Sequence, residues 1–153
     1  MIKLLKNIKE PFLVINGDLL STIEYSSFAN FHKNQGVIAT IGLFEKKVKI
    51  DLGVVHTNKK NQVTDYVEKP TKKYWVSMGL YMFEPKALSY IPSAQKFDLP
   101  DLIKKMTKAG ENILAYRFRG RWFDIGRRED YEEASNEFIK QRELYLPQKR
   151  KPR

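Results

Sequence analysis

The 153-residue sequence has no cysteine, which excludes disulfides, thiolate metal sites and cysteine nucleophiles together. It has only two histidines, His32 and His56. Their spacing fits no zinc motif, and no Ser-His-Asp grouping can be built on them. His32 falls near the end of an expected helix, where a surface position is expected. No apolar run approaches the ~18 residues of a membrane span, so no membrane partner is expected. Met1 to Lys9 alternates apolar residues with lysines, without a long apolar stretch or a small-residue cleavage site. A secretory signal is therefore not expected, and the cytoplasm is the expected location. Neither a glycine-rich Walker loop nor a dinucleotide fingerprint occurs among the eight glycines.

What remains is the balance of a globular chain, 42% hydrophobic and 30% charged, at a length suited to one domain. The net charge of +10 is compatible with nucleic acid, an anionic surface or phosphorylated small molecules. Its distribution argues against nucleic acid. The pairs Lys46-Lys47, Lys59-Lys60, Lys72-Lys73 and Lys104-Lys105 are expected in turns and on a helix face, solvated. Two denser groups stand out: Arg117, Arg119, Arg121, Arg127 and Arg128, and the tail from Lys149 to Arg153. The division expected is one domain over 1–144 and a basic, disordered tail over 145–153.

Periodicity predicts an α/β fold with a mixed sheet flanked by helices. Phe12-Leu13-Val14-Ile15 reads as a buried parallel strand closed by Asn16-Gly17-Asp18. A helix is predicted from about Ile23 to Asn34 with Tyr25, Phe28 and Phe31 on one face. Strands follow at Val37 to Phe44, at Val48 to His56 and Gln62 to Val67 (a hairpin across 57–61), and at Trp75 to Phe83. Pro85 opens a short helix. Asp98 caps another from about Pro100 to Lys108, stopped at Gly110. Ile113 to Phe118 and Arg121 to Phe123 are predicted to pair around Gly120. A last helix runs from about Arg128 to Glu143, burying Tyr131, Ala134 and Phe138. A central-type strand this early in the chain suggests that a larger sheet has other strands ahead of it.

Open α/β sheets hold ligands outside the carboxyl ends of their parallel strands. Asp18 stands at such an end and reads either as a ligand for a hard cation or as a turn and cap residue. Glu68-Lys69-Pro70 ends a strand; it fits sugar hydroxyls and phosphate, or a solvated strand end. Gly79, within a strand, marks a close approach by a ligand or by other backbone, or a bulge. Trp122-Phe123-Asp124-Ile125-Gly126 sets a carboxylate between bulky apolar residues before a helix, suiting a metal, an anion-binding helix end or an ordinary cap.

In order and spacing, Phe12 to Asp18, Gly53-Val54-Val55, Val67-Glu68-Lys69-Pro70, Gly79 to Phe83, and Trp122 to Gly126 with Asp130-Tyr131 together resemble the sugar-1-phosphate nucleotidyltransferase family. The likeness covers Glu10 to about Phe138. It implies a partial Rossmann-like (GT-A-like) nucleotidyltransferase fold. The implied reaction joins a nucleoside triphosphate (NTP) to a sugar 1-phosphate, giving an NDP-sugar and pyrophosphate. The resemblance also implies that Asp18 and Asp124 hold Mg²⁺, that Glu68 binds sugar hydroxyls, and that Lys69 acts on the phosphate. Gly53 and Gly79 then let the backbone approach the sugar, and Ser77 and Trp122 line the substrate. Two departures accompany it. The family's glycine-rich G-G-x-G-x-R-L signature is absent, which implies weak activity for this chain alone and a role for a complementing N-terminal fragment or a homo-oligomer. Ser77 stands where the family often carries Asn, which leaves the sugar open. A sugar-phosphate-binding remnant without catalysis is the alternative.

Overall fold

The long strand β6 organises the molecule. In a computed structural model describing residues 7–92, 97–126 and 128–146, the strands are β1 (Phe12–Ile15), β2 (Leu19–Ser21), β3 (Ala39–Lys49), β4 (Val54–Thr57), β5 (Val63–Val67), β6 (Thr71–Phe83), β7 (Ile113–Phe118) and β8 (Trp122–Asp124). The helices are α1 (Tyr25–Gln35), α2 (Leu99–Lys108), α3 (Arg128–Lys140) and α4 (Arg142–Tyr145), with a 3-10 segment at Pro85–Tyr90. The basic tail and Arg127 lie outside the described residues.

The main sheet has the order β1-β6-β3-β7. β6 pairs antiparallel with both β1 and β3, and β3 pairs parallel with β7. The sheet is mixed, as periodicity predicts. β1 differs from the expectation of a buried parallel strand: it pairs antiparallel with β6 and is an edge in the described sheet, with Leu13 and Ile15 40% and 45% exposed. Beyond the ends of β1 and β7, β3 and β6 continue as a two-stranded ribbon from Glu45/Trp75 to Lys49/Thr71. The pairs Lys46-Lys47 and Lys72-Lys73 therefore sit in paired strands, not in turns as expected, and Lys47 lies directly opposite Lys73. That like-charge pairing is relieved by Glu45, 3.1 Å from the Lys73 ammonium.

Each face of the sheet has its own core. On one, Ala39, Tyr81 and Phe83 pack against Ala87 of the 3-10 segment and Leu102 and Met106 of α2. On the other, Phe28 of α1 and Ile23 meet Met78, Leu80 and Met82. The local signals for α2 act as the sequence predicts. Asp98 accepts a hydrogen bond from the Asp101 amide at 2.9 Å, and Gly110, at φ +77°, follows its end.

Several expectations fail because tertiary pairing overrides local pattern. The stretch Val48 to His56 is not one strand; β3 runs on to Lys49 and β4 begins at Val54. β8 pairs with β2, not with β7 around Gly120. The last helix breaks at Gln141, and the expected domain boundary at 144/145 falls within α4. Tyr25 and Tyr131 are exposed, while Phe28 and Ala134 are buried. His32 is not at the surface: its ring is fully covered, with Nδ1 2.8 Å from the Thr40 hydroxyl and Nε2 3.3 Å from Glu84 Oε1.

Candidate active site

Two groups of candidate residues emerge, one at the β2–β8 pair and one at the β4–β5 hairpin. The first begins where β1 ends. After Asn16-Gly17 the chain enters β2, whose Leu19 lies opposite Asp124 of β8. The Ile125 amide donates to the Asp18 carbonyl at 2.9 Å, so the backbones of the two aspartates are tied directly. Their side chains converge on Gly126. A Cβ at that glycine would lie 2.9 Å from Asp18 Oδ2 and 3.3 Å from Asp124 Oδ1. The gap between the two oxygens therefore cannot exceed the sum of those distances, and the missing methyl leaves the space between them open. The Gly126 amide also donates to Asp124 Oδ1 at 3.2 Å. Asp18 is exposed and Asp124 half-buried, so both can reach a ligand. Two carboxylates with room for water and phosphate oxygens fit the way Mg²⁺ is held. Among the described residues, no three Asp, Glu or His side chains gather to ligate one metal.

Beside Asp124 lies an open cleft of about 360 Å³, lined by Phe44, Lys46, Arg121, Trp122, Asp130 and Glu133 among others. Arg121 forms an ion pair with Glu137 of α3. Arg117 lies over the Trp75 ring, 5.1 Å from its centroid, and Arg128 pairs with Glu132. The arginine group is therefore partly engaged within the protein. Lys46 and Glu133 were not singled out by the sequence. Asp130 and Glu133, three apart on α3, share a face of the helix that packs on β8, and that spacing is a usable signal.

Gly79 and Trp122 bear on the same stretch of β6, Trp122 through the carbonyl of Met78. Gly79 has φ +72° and sits where the β3–β6 register shifts, so it is the bulge that its sequence position allowed. The space a Cβ would fill is taken by the Asn16 amide group, 2.8 Å away. The Trp122 indole N–H donates to the Met78 carbonyl at 3.0 Å. The Ser77 hydroxyl is 2.9 Å from the Tyr81 hydroxyl.

The second group is at the hairpin. Glu68 and Lys69 are both 58% exposed, with the ammonium 3.9 Å from Glu68 Oε1, an ion pair of little energetic weight. Lys69 is left-handed at φ +45°, which turns the chain into Pro70 and β6. Gly53 is bare for a specific reason: the Tyr66 ring crosses it, in the space a Cβ would need, and the Tyr66 hydroxyl donates to Glu68 Oε2 at 3.0 Å. Tyr66 was missed because alternation within a strand marks facing and not function.

Residues 1–141 match the family model described as nucleotidyl transferase. The chain is similar to a UTP–glucose-1-phosphate uridylyltransferase of Synechocystis sp., 34% identical over 82% of this chain and 34% of the relative. It is also similar to a glucose-1-phosphate adenylyltransferase of Clostridioides difficile, 33% identical over 86% of this chain and 37% of the relative. The chain thus spans about a third of the length of these curated relatives. Among solved structures, HddC from Yersinia pseudotuberculosis superposes with a TM-score of 0.61 at 25% identity, over 90% of this chain and 60% of that one. The mixed α/β architecture is common to both, and the family match covers nearly all the described elements. The chain belongs to the sugar-1-phosphate nucleotidyltransferase family.

Proposed function

We propose that this chain contributes the cation- and sugar-phosphate-binding part of a nucleotidyl transfer from an NTP to a sugar 1-phosphate, yielding an NDP-sugar and pyrophosphate. The observation that carries the reading is the convergence of Asp18 and Asp124 on the bare Cα of Gly126. Bound there, Mg²⁺ would neutralise the charge that builds on the reacting phosphates. Such a transfer asks the protein for positioning and charge balance more than for covalent chemistry. Asp18 and Asp124 hold the cation. Lys69 meets the sugar phosphate as a point charge, and Glu68 accepts hydrogen bonds from sugar hydroxyls. Trp122 offers its ring to the cleft, while the Gly79 carbonyl and the Ser77 hydroxyl, engaged with Asn16 and Tyr81, serve the fold.

Because the chain spans only about a third of its curated relatives, we expect it to turn over slowly alone and more quickly with a complementing nucleotide-binding polypeptide. A sugar-phosphate-binding role without turnover is the second reading, and the exposed Glu68–Lys69 pair supports it. Binding separates the two more directly than rate. Mn²⁺ titration followed by water-proton relaxation is expected to show one site that weakens at least tenfold in Asp18→Asn and in Asp124→Asn. Pyrophosphate release from NTP and glucose 1-phosphate is expected to fall in the same variants. Equal Mn²⁺ binding by wild type and Asp124→Asn would overturn the carboxylate assignment.

A further inference from the structure

β2 and β8 form a ladder with each other and not with the main sheet, yet both candidate carboxylates depend on them. One residue ahead of β2 and one within β8 bond to the same bulge of β6. The Asn16 amide donates to the Gly79 carbonyl at 2.9 Å, while the Asn16 side chain lies against the bare Gly79 Cα. The Trp122 indole N–H donates to the Met78 carbonyl at 3.0 Å, with the ring tilted against Phe44 at 5.3 Å. Asn16 lies two residues before Asp18, and Trp122 two residues before Asp124.

We infer that Asn16 and Trp122 are positioning residues. They hold the Met78–Gly79 bulge through its two successive carbonyls, so that one backbone feature sets the gap between Asp18 and Asp124. The bulge is suited to this. At the β3–β6 register shift the Met78 carbonyl accepts from outside the sheet, while the Gly79 carbonyl carries the β1–β6 ladder one residue further, to Asn16. Only a glycine leaves room for the Asn16 amide group, and φ +72° is a conformation that glycine adopts without steric cost. With its N–H bound to Met78, Trp122 has no donor left for a ligand in the cleft. Its ring face can still be touched, but its hydrogen bond serves the fold. The consequence for the cation rests on the function proposed above; the clamp itself does not.

The test uses the full chain and two readouts, one of which needs no metal. Amide hydrogen exchange by NMR follows Ile125, which donates to the Asp18 carbonyl, and Gly126, which donates to Asp124. Mn²⁺ affinity is measured by proton relaxation. Trp122→Phe keeps an aromatic ring against Phe44 and deletes the N–H. It is expected to speed exchange at Ile125 and Gly126 about tenfold, to leave Thr40 and Ile41 amides in the sheet unchanged, and to weaken Mn²⁺ about tenfold. Gly79→Ala, which must push Asn16 aside, is the second variant and is expected to act in the same direction. Unchanged exchange at Ile125 and Gly126 in both variants overturns the clamp. So does a uniform rise across the sheet, which would mark general destabilisation. Faster exchange at the two amides, in a chain whose wild type binds no Mn²⁺, supports the clamp and overturns the metal reading.

Discussion

Replacing His32 by leucine tests whether this buried imidazole is a structural bracket. Its Nδ1 is 2.8 Å from the Thr40 hydroxyl, which is itself fully buried, and its Nε2 is 3.3 Å from Glu84, whose side chain is 39% exposed. The two partners fare differently when the ring is removed. Glu84 turns to water at little cost. Thr40 is left without its partner in a dry site, and an unsatisfied buried hydroxyl costs about 1–3 kcal/mol. His32→Leu should therefore lose roughly 2 kcal/mol. Thr40→Val leaves the mirror-image deficit on Nδ1 and should cost a similar amount. The double variant removes both polar groups, so it should lose less than the two singles together by about 1–2 kcal/mol. Urea denaturation with a constant m-value is the measurement. Additivity within about 0.5 kcal/mol would refute the reasoning, because it would mean that the two groups do not satisfy each other.

Two further outcomes follow from local geometry. Glu111 accepts hydrogen bonds from Lys86 and Tyr90, and those bonds, the Lys86 one foremost, hold its carboxyl below the ordinary value. The stability it contributes is present above the ordinary carboxylate value and is lost as pH falls through the lowered one. The bond to Glu111 raises Lys86, whose contribution is present below the ordinary ammonium value and fades as pH rises through the raised one. Thermal melts against pH should therefore show both limbs flattened in Glu111→Gln, and limbs identical to wild type would dismiss the cluster as a pH-sensitive contact. Gly53→Ala should swing the Tyr66 ring away, since the atoms in its path are the far end of a flexible exposed side chain. The melting temperature should move by less than ~2 °C, while NOEs between the Tyr66 ring and residue 53 disappear. A drop of many degrees would show that the ring is pinned.

How far the sequence reaches depends on how local the cause is. α2 is legible because Asp98, Pro100 and Gly110 state its start and stop within a dozen residues, and the β4–β5 hairpin because polar residues 57–61 divide two apolar runs. β2 is not legible: three residues carry no period, and its partner β8 lies about a hundred positions away. His32 was misplaced for the same reason, since its partners Thr40 and Glu84 come from two different strand ends. The main candidates (Asp18, Asp124, Glu68, Lys69, Gly53 and Gly79) were visible as ordered motifs. Their proximity was not, and Tyr66 and Asn16 acquire meaning only once the folded backbone brings them onto Gly53 and Gly79.

Among the described residues the β4–β5 hairpin pairs only with itself, and nearly every one of its side chains faces water. The contacts a substitution there meets, such as the Tyr66 ring over Gly53, belong to the hairpin itself, so its energetic consequences stop there. Gly79, which bears on the carboxylates through Asn16, is buried in β6, and Trp122 packs against a core, so neither has such freedom. Under mutation the two ends therefore drift at different speeds: the hairpin can sample new hydroxyl patterns one residue at a time, while the end carrying Asp18 and Asp124 stays fixed. Divergence among chains of this architecture should accumulate around Leu52 to Lys69 without any need for compensating change in the sheet.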